Sequence, residues 1–236
     1  MIQAKHITKK FGRLKALDDV SVQMNAGECI AILGPNGCGK TTLLKTVLGM
    51  VMADRGEVMV KNELVKKSNW QYRRHIGYMP QIGRYPSNMK IADVINMMKD
   101  IRQNSNLNEE LATAFDLPAL SQKKMGNLSG GTTQKVSAVL AFMFNPDILI
   151  LDEPTAGLDP LSSEKLKAKI KAENDKGKLV VITSHILSEL DDLVTEVIYM
   201  QEGKIIFHKK IKTLQEETGE IKLSKAIASI LQSAEK

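Results

Sequence analysis

Short apolar runs separated by polar, glycine-bearing loops set the rhythm of the chain. Residues 2–8 and 18–24 alternate apolar and polar positions, the two-residue period of half-buried strands, and predict an antiparallel pair joined through Phe11-Gly12-Arg13. Cys29-Ile30-Ala31-Ile32-Leu33, Ile148-Leu149-Ile150-Leu151 and Leu179-Val180-Val181-Ile182 are continuous apolar runs instead, as expected of strands buried on both faces in a parallel sheet. Residues 56–60 and 75–79 read as further strands on either side of a polar loop that holds the only tryptophan, Trp70. Helical spacing governs other stretches. Positions 91, 94, 95, 98 and 101 share one face, residues 107–117 repeat the pattern, and a third helix is expected within residues 129–144. Helices are also expected from Thr41 to Leu48 and from His185 to Val194. The chain closes with a hairpin, 196–200 and 204–208 around Gln201-Glu202-Gly203. A lysine-rich turn follows, then a helix with Leu223, Ile227, Ile230 and Leu231 on one face.

These elements predict an α/β fold: a single domain over 1–236 with an N-terminal antiparallel β subdomain, an inserted, mostly helical subdomain near 83–145 and a short helical extension over 209–236. Composition fits, with 43% hydrophobic and 25% charged residues. No apolar run reaches the ~18 residues needed to span a bilayer, and Met1 to Lys10 lacks a signal-peptide core, so the chain is expected on the cytosolic side. Cys29 and Cys38 form neither a disulfide framework nor a metal-ligand spacing and are expected to be reduced, structural thiols. The net charge of +6 would suit a nucleic acid, a nucleotide or an anionic membrane face. Its lysines are scattered as in a solvated surface, so no nucleic acid is expected as a partner.

Two stretches carry chemistry. After the run ending at Leu33 comes Gly34-Pro35-Asn36-Gly37-Cys38-Gly39-Lys40-Thr41-Thr42, which fits the P-loop pattern at every required position, after a strand and ahead of a helix. Its glycines allow a nest of amides around the β- and γ-phosphates, Lys40 adds a point charge, Thr41 can ligate Mg²⁺, and Thr42 adds a phosphate contact. The plainer alternative is a chance glycine turn. The second stretch runs from Leu128 to Asp159. Ser129-Gly130-Gly131 opens a helix, so amides and the helix dipole make an anion-binding edge. Farther on, Asp152 and Glu153 emerge at the carboxyl end of a buried strand, where open α/β sheets place ligand chemistry, and suggest a metal and a water.

Leu128-Ser129-Gly130-Gly131 followed by Leu151-Asp152-Glu153-Pro154-Thr155 and Gly157-Leu158-Asp159 resembles the signature, Walker B and D-loop of ABC-type ATPases, and the likeness covers nearly the whole chain. The resemblance implies a P-loop NTPase core that hydrolyses ATP with Mg²⁺. It implies an adenine-stacking role for Phe11, which from the sequence alone could equally pin a hairpin. Gln81, after Pro80, would be the Q-loop residue touching Mg²⁺ and the attacking water. Mg²⁺ would be held by Thr41, Gln81 and, through water, Asp152, while Glu153 polarises the water. His185, after Thr183-Ser184, matches the switch histidine of the γ-phosphate; a lone histidine at a strand end is more often structural, and His6, His75 and His208 have no such match. Met89, Met97, Met98 and Met125 lie in the helical region and read as adaptable packing rather than a soft-metal site.

In relatives a nucleotide is clamped between the P-loop of one ATPase unit and the signature of another. The resemblance therefore implies a homodimer or a paired second ATPase subunit, with Asp159 near the seam. It also implies membrane-spanning transporter subunits as partners, one of which would seat a coupling helix near the Q-loop, and a place on the inner face of the cell membrane. One departure stands out: Thr132 replaces the usual glutamine after Leu-Ser-Gly-Gly, with Gln134 two places on. The run 128–136 with Arg84-Tyr85-Pro86 is similar to ATPases serving copper-enzyme (nitrous oxide reductase) maturation. Drug or antibiotic exporters are one alternative. A soluble ABC-type ATPase acting on nucleic acid or ribosomes is another, without the tandem units, coiled-coil insertion or zinc cysteines of such relatives. A P-loop GTPase or kinase would leave residues 128–131 unexplained.

Overall fold

A computed structural model describes residues 1–104, 107–184 and 193–234. Strands β1 (Ile2–Phe11) and β2 (Leu14–Met24) form a hairpin longer than the alternation marked. Only Gly12 and Arg13 separate them, and Gly12, at φ 58°, supplies the left-handed backbone a two-residue hairpin turn requires. Strand β3 (Cys29–Leu33) is buried at every position and leads through the glycine loop into helix α1 (Lys40–Val47). Next come β4 (Arg55–Val60), β5 (Glu63–Leu64), β6 (Ile76–Met79), α2 (Ile91–Arg102), α3 (Glu110–Ala114), α4 (Gly130–Phe142), β7 (Ile148–Asp152) and α5 (Pro160–Asp175). The last elements are β8 (Leu179–Thr183), β9 (Glu196–Gln201), β10 (Lys204–Lys210), α6 (Ile211–Thr218) and α7 (Leu223–Ala234).

The chain forms two compact units, Met1–Tyr72 with Leu179–Lys236, and Arg73–Lys178. In the first unit β2-β1-β4-β5 make an antiparallel sheet, and β10-β9-β3-β8 lie side by side with β3 parallel to both β8 and β9. Flanked on both edges and covered on both faces, β3 has no polar side to show, which is why its sequence is an unbroken apolar run. The β9–β10 turn reaches the glycine loop: the Gly203 amide donates to the Cys38 carbonyl at 3.0 Å, and the Asp18 amide of β2 donates to the Gly203 carbonyl at 2.8 Å.

In the second unit β6 and β7 pair in parallel, Ile76 opposite Ile148 and Met79 opposite Leu151. Helix α4 lies so close on β6 that a Cβ at Gly77 would fall 2.0 Å from the Ala141 carbonyl oxygen. Arg102, at the end of α2, donates to the carbonyls of Arg73, Arg74 and Ile76 and ties that helix to the start of β6. Glu173 of α5 is buried and takes ion pairs from Lys169, Lys176 and Lys178, while Lys169 also pairs with Glu110 of α3.

Several sequence expectations need correction. The helical pattern over 107–117 yields only the short α3, because Asp116 sits in the left-handed region at φ 53° and Pro118 follows directly after Leu117. The lysine-rich stretch is not a turn: Lys209 and Lys210 end β10 and Lys212 lies in α6, which is followed by Gly219 at φ 69°. Helix α5 went unmarked by periodicity, although Asp159 caps it and Pro160 occupies its first turn. The apolar face of α2 is buried at Ile91 and Val94, but Ile101 is mostly exposed.

Candidate functional site

The first unit carries the glycine loop. Gly34, Gly37 and Gly39 have φ of 143°, 79° and 110°, conformations that side-chain-bearing residues rarely adopt. Space excludes a side chain as well: a Cβ at Gly34 would lie 2.0 Å from the Met200 carbonyl oxygen, and one at Gly39 would lie 2.5 Å from that of Ala16. The loop is thus seated between β2 and β9, with Pro35, Asn36 and Gly37 exposed and Cys38 buried beneath. No side chain caps α1 at Gly39, so its first-turn amides and positive dipole end face the loop. Lys40 Nζ reaches back across it to the carbonyls of Gly34 at 2.7 Å and Pro35 at 3.0 Å. Thr41 is exposed and Thr42 half-buried at the head of α1. Phe11 ends β1 with half its surface exposed, and Lys9 Nζ lies 5.4 Å from its ring centroid, so the ring is not sunk in a core.

The second unit carries the acidic strand end and the Ser-Gly-Gly helix. Asp152 is the last residue of β7 and is buried; Glu153 follows half-buried with φ 50°. A non-glycine residue in that region stores strain, and such residues collect at functional sites. The Gln81 side-chain amide donates to Glu153 Oε2 at 3.2 Å, which turns the amide oxygen the other way. Burial pushes the Tyr78 hydroxyl pKa above its usual value, and the nearby Asp152 carboxylate adds to the rise. Asp152, Glu153 and Gln81 are therefore brought together by the β6–β7 pairing, although 72 residues separate Gln81 from Glu153.

Ser129 caps α4, its Oγ accepting the Thr132 amide at 3.2 Å. Gly130 is exposed, and a Cβ on Gly131 would lie 2.8 Å from the Gly157 carbonyl oxygen, so this helix start rests directly on the 157–159 loop. Asp159 is half-exposed and makes three contacts within the unit. It accepts from the Ser162 amide at 2.9 Å and the Ser162 hydroxyl at 2.7 Å, and it pairs with Lys135 Nζ at 2.8 Å. Donation from Lys135, then from Ser162, holds its pKa well below the usual carboxylate range. Lys135 and Gly157 are site neighbours that the sequence reading missed, since nothing in their spacing from Asp159 or Gly131 announces contact. His185 lies outside the described residues.

Hydroxyl, amide and carboxylate oxygens at Thr41, Gln81 and Asp152 are hard donors of the kind Mg²⁺ prefers. A sequence profile described as ABC transporter matches residues 17–156, more than half of the chain. The chain is 31% identical over 225 residues to an uncharacterized ABC transporter ATP-binding protein of Bacillus subtilis (strain 168), covering 93% of this chain and 74% of that one. It is also 31% identical over 215 residues to the lipopolysaccharide export system ATP-binding protein of Escherichia coli (strain K12), covering 88% and 89%. Among solved structures it is similar to the dimeric structure of a post-hydrolysis state of an ATP-binding cassette bound to ADP and Pi. That likeness has a TM-score of 0.78 and 25% identity over 89% of this chain and 99% of the other.

Proposed function

Because the chain belongs to the ABC transporter family as an ATP-binding, ATP-hydrolysing subunit, we propose that it drives an exporter whose membrane-spanning subunits are separately encoded. Near-full-length likeness to an export ATPase carries this reading. No helix among the described residues is long and apolar enough to cross a membrane. Likeness to ATP-binding subunits of transporters supports membrane-spanning partner chains, with this subunit on their inner face.

The loop amides and Lys40 hold the β- and γ-phosphates, Lys40 exchanging the carbonyls of Gly34 and Pro35 for phosphate oxygens. Phe11 stacks on the adenine, which needs only a π-face. Cys38 and Asn36 belong to the cradle through their backbone. Thr41, Gln81 and, through water, Asp152 would hold Mg²⁺, which when bound would supply charge neutralisation at the phosphate oxygens. Glu153 polarises the attacking water, and Gln81 steadies that carboxylate through its amide. His185 contacts the γ-phosphate. Water attacks the γ-phosphorus in line, the bond to the β-phosphate oxygen breaks, and ADP and phosphate leave. Ser129, Gly130 and Gly131 of a second copy complete the phosphate contacts, with Asp159 at the seam. ATP binding thus closes two copies head to tail, and hydrolysis releases them.

For the cargo, the run 128–136 with Arg84-Tyr85-Pro86 favours service to copper-enzyme maturation in nitrous oxide reductase. Likeness to an export ATPase equally accommodates a drug or antibiotic exporter. Tagged Glu153→Gln protein, purified with ATP from detergent-solubilised membranes of its own cell, tests both levels. A multi-spanning membrane protein recovered with it supports the exporter, and a periplasmic copper-maturation factor supports the narrower reading. Recovery of ribosomal or nucleic-acid components alone overturns the transporter reading.

A further inference from the structure

Thr132 stands where related signatures carry glutamine, and its side chain lies on Ser129. Ser129 Oγ accepts the Thr132 amide proton at 3.2 Å and sits 2.9 Å from the Thr132 hydroxyl. The serine main chain is gripped as well, because the Thr133 amide and hydroxyl both donate to the Ser129 carbonyl, at 2.9 Å and 3.1 Å. Gly131 in the same turn has no room for a side chain, since a Cβ there would lie 2.8 Å from the Gly157 carbonyl oxygen.

A hydroxyl offers one proton and two lone pairs. The Thr132 amide takes one lone pair of Ser129, so the contact between the two hydroxyls decides where the serine proton points. If Ser129 donates to Thr132, its proton is spent inside the turn. If Thr132 donates to Ser129, the serine accepts twice and its own proton is directed out of the turn, ahead of the helix N-terminus. An anion in front of that terminus selects the second arrangement, because it needs a donor and the helix dipole already draws it there. We propose that Thr132 is a positioning residue: its hydroxyl donates to Ser129 Oγ and directs the Ser129 proton at the γ-phosphate of the nucleotide held by a second copy. The threonine thereby supplies from within the turn an orienting contact that this chain cannot draw from a signature glutamine. This role rests on the reading of Ser129 as a phosphate contact.

The test is steady-state ATPase kinetics of the full chain carrying Thr132→Val, Thr132→Ser, Ser129→Ala and the Thr132→Val/Ser129→Ala pair, with melting temperature measured alongside. Valine keeps the size and branching of threonine and leaves the amide cap intact, so fold stability should hold while kcat/KM for ATP falls roughly five- to tenfold, the effect of one hydrogen bond. Thr132→Ser should restore activity, and Thr132→Val should add nothing once Ser129 is alanine. Wild-type kinetics in Thr132→Val beside an impaired Ser129→Ala would overturn the orienting role alone. Equal impairment of Thr132→Ser and Thr132→Val, or full additivity with Ser129→Ala, would also overturn it, by assigning the effect to packing. A silent Ser129→Ala would remove the phosphate reading of Ser129, and the role of Thr132 with it.

Discussion

The side-chain amide of Gln81 donates to Glu153 Oε2 at 3.2 Å, joining the segment just after β6 to the end of β7. An amide donor at this distance orients the carboxylate it meets. Glu153→Gln is expected to keep ATP binding while turnover drops by about 10²- to 10⁴-fold, the contribution typical of a general base. Phosphate-release assays with a parallel nucleotide-binding titration measure both, and normal turnover would remove Glu153 from the mechanism.

The backbone of Glu153 gives a separate prediction. Its φ of 50° is tolerated poorly by β-branched residues and freely by glycine. Glu153→Val should therefore be less stable than Glu153→Gly by about 1–2 kcal/mol, though both lack the carboxylate. Urea unfolding of the two variants reads the difference directly. Equal stabilities would mean that the turn relaxes and holds no strain.

Gly131→Ala places a methyl where only 2.8 Å separates the new Cβ from the Gly157 carbonyl oxygen. The obstacle is backbone, so the helix start or the 157–159 loop must move, at a cost of about 1–3 kcal/mol. Because Ser129 and Asp159 ride on those two segments, ATP-dependent pairing should weaken more than ATP binding by the isolated chain. Gly130→Ala, with open space at its Cβ, serves as the control for helix propensity.

Glu173 is expected to contribute to stability in a pH-dependent way. Burial is the largest influence on its carboxyl and pushes the pKa up, but hydrogen bonds from Lys178, Lys176 and Lys169 outweigh it and bring the pKa down to about 2. A carboxylate with a depressed folded-state pKa contributes stability above its ordinary value of 4.5 and loses it as pH falls towards about 2. Wild type should therefore lose stability over that window, whereas Glu173→Gln, already lacking the charge, should be weaker near neutrality and flatter in acid. Urea midpoints for the two proteins across the window check the sign; parallel curves would contradict it.

Much of the fold could be read from the chain because its strands obey simple burial. The runs at 29–33, 148–151 and 179–182 are apolar throughout since parallel neighbours and covered faces leave them no polar side. The glycine loop was legible because φ above 100° at Gly34 and Gly39 admits little else. Periodicity failed where a helix has little apolar surface to bury. Helix α5 buries Lys169 and Glu173 beside Leu166 and Ile170, so its inner face carries charge and its apolar stripe is broken. Helix α6 buries Leu214 alone. Lys135 against Asp159 and Gly131 against Gly157 were invisible for another reason: they are long-range contacts set by how α4 meets the start of α5.

The proposed mechanism requires ATP to be clamped between two copies of this chain. Light scattering of Glu153→Gln in ATP should give twice the 26.1 kDa mass of one chain. The pair should revert to single chains in ADP, and it should be lost when Ser129→Ala is added. A variant that binds ATP at stoichiometry yet stays a single chain would contradict the head-to-tail clamp and the mechanism built on it.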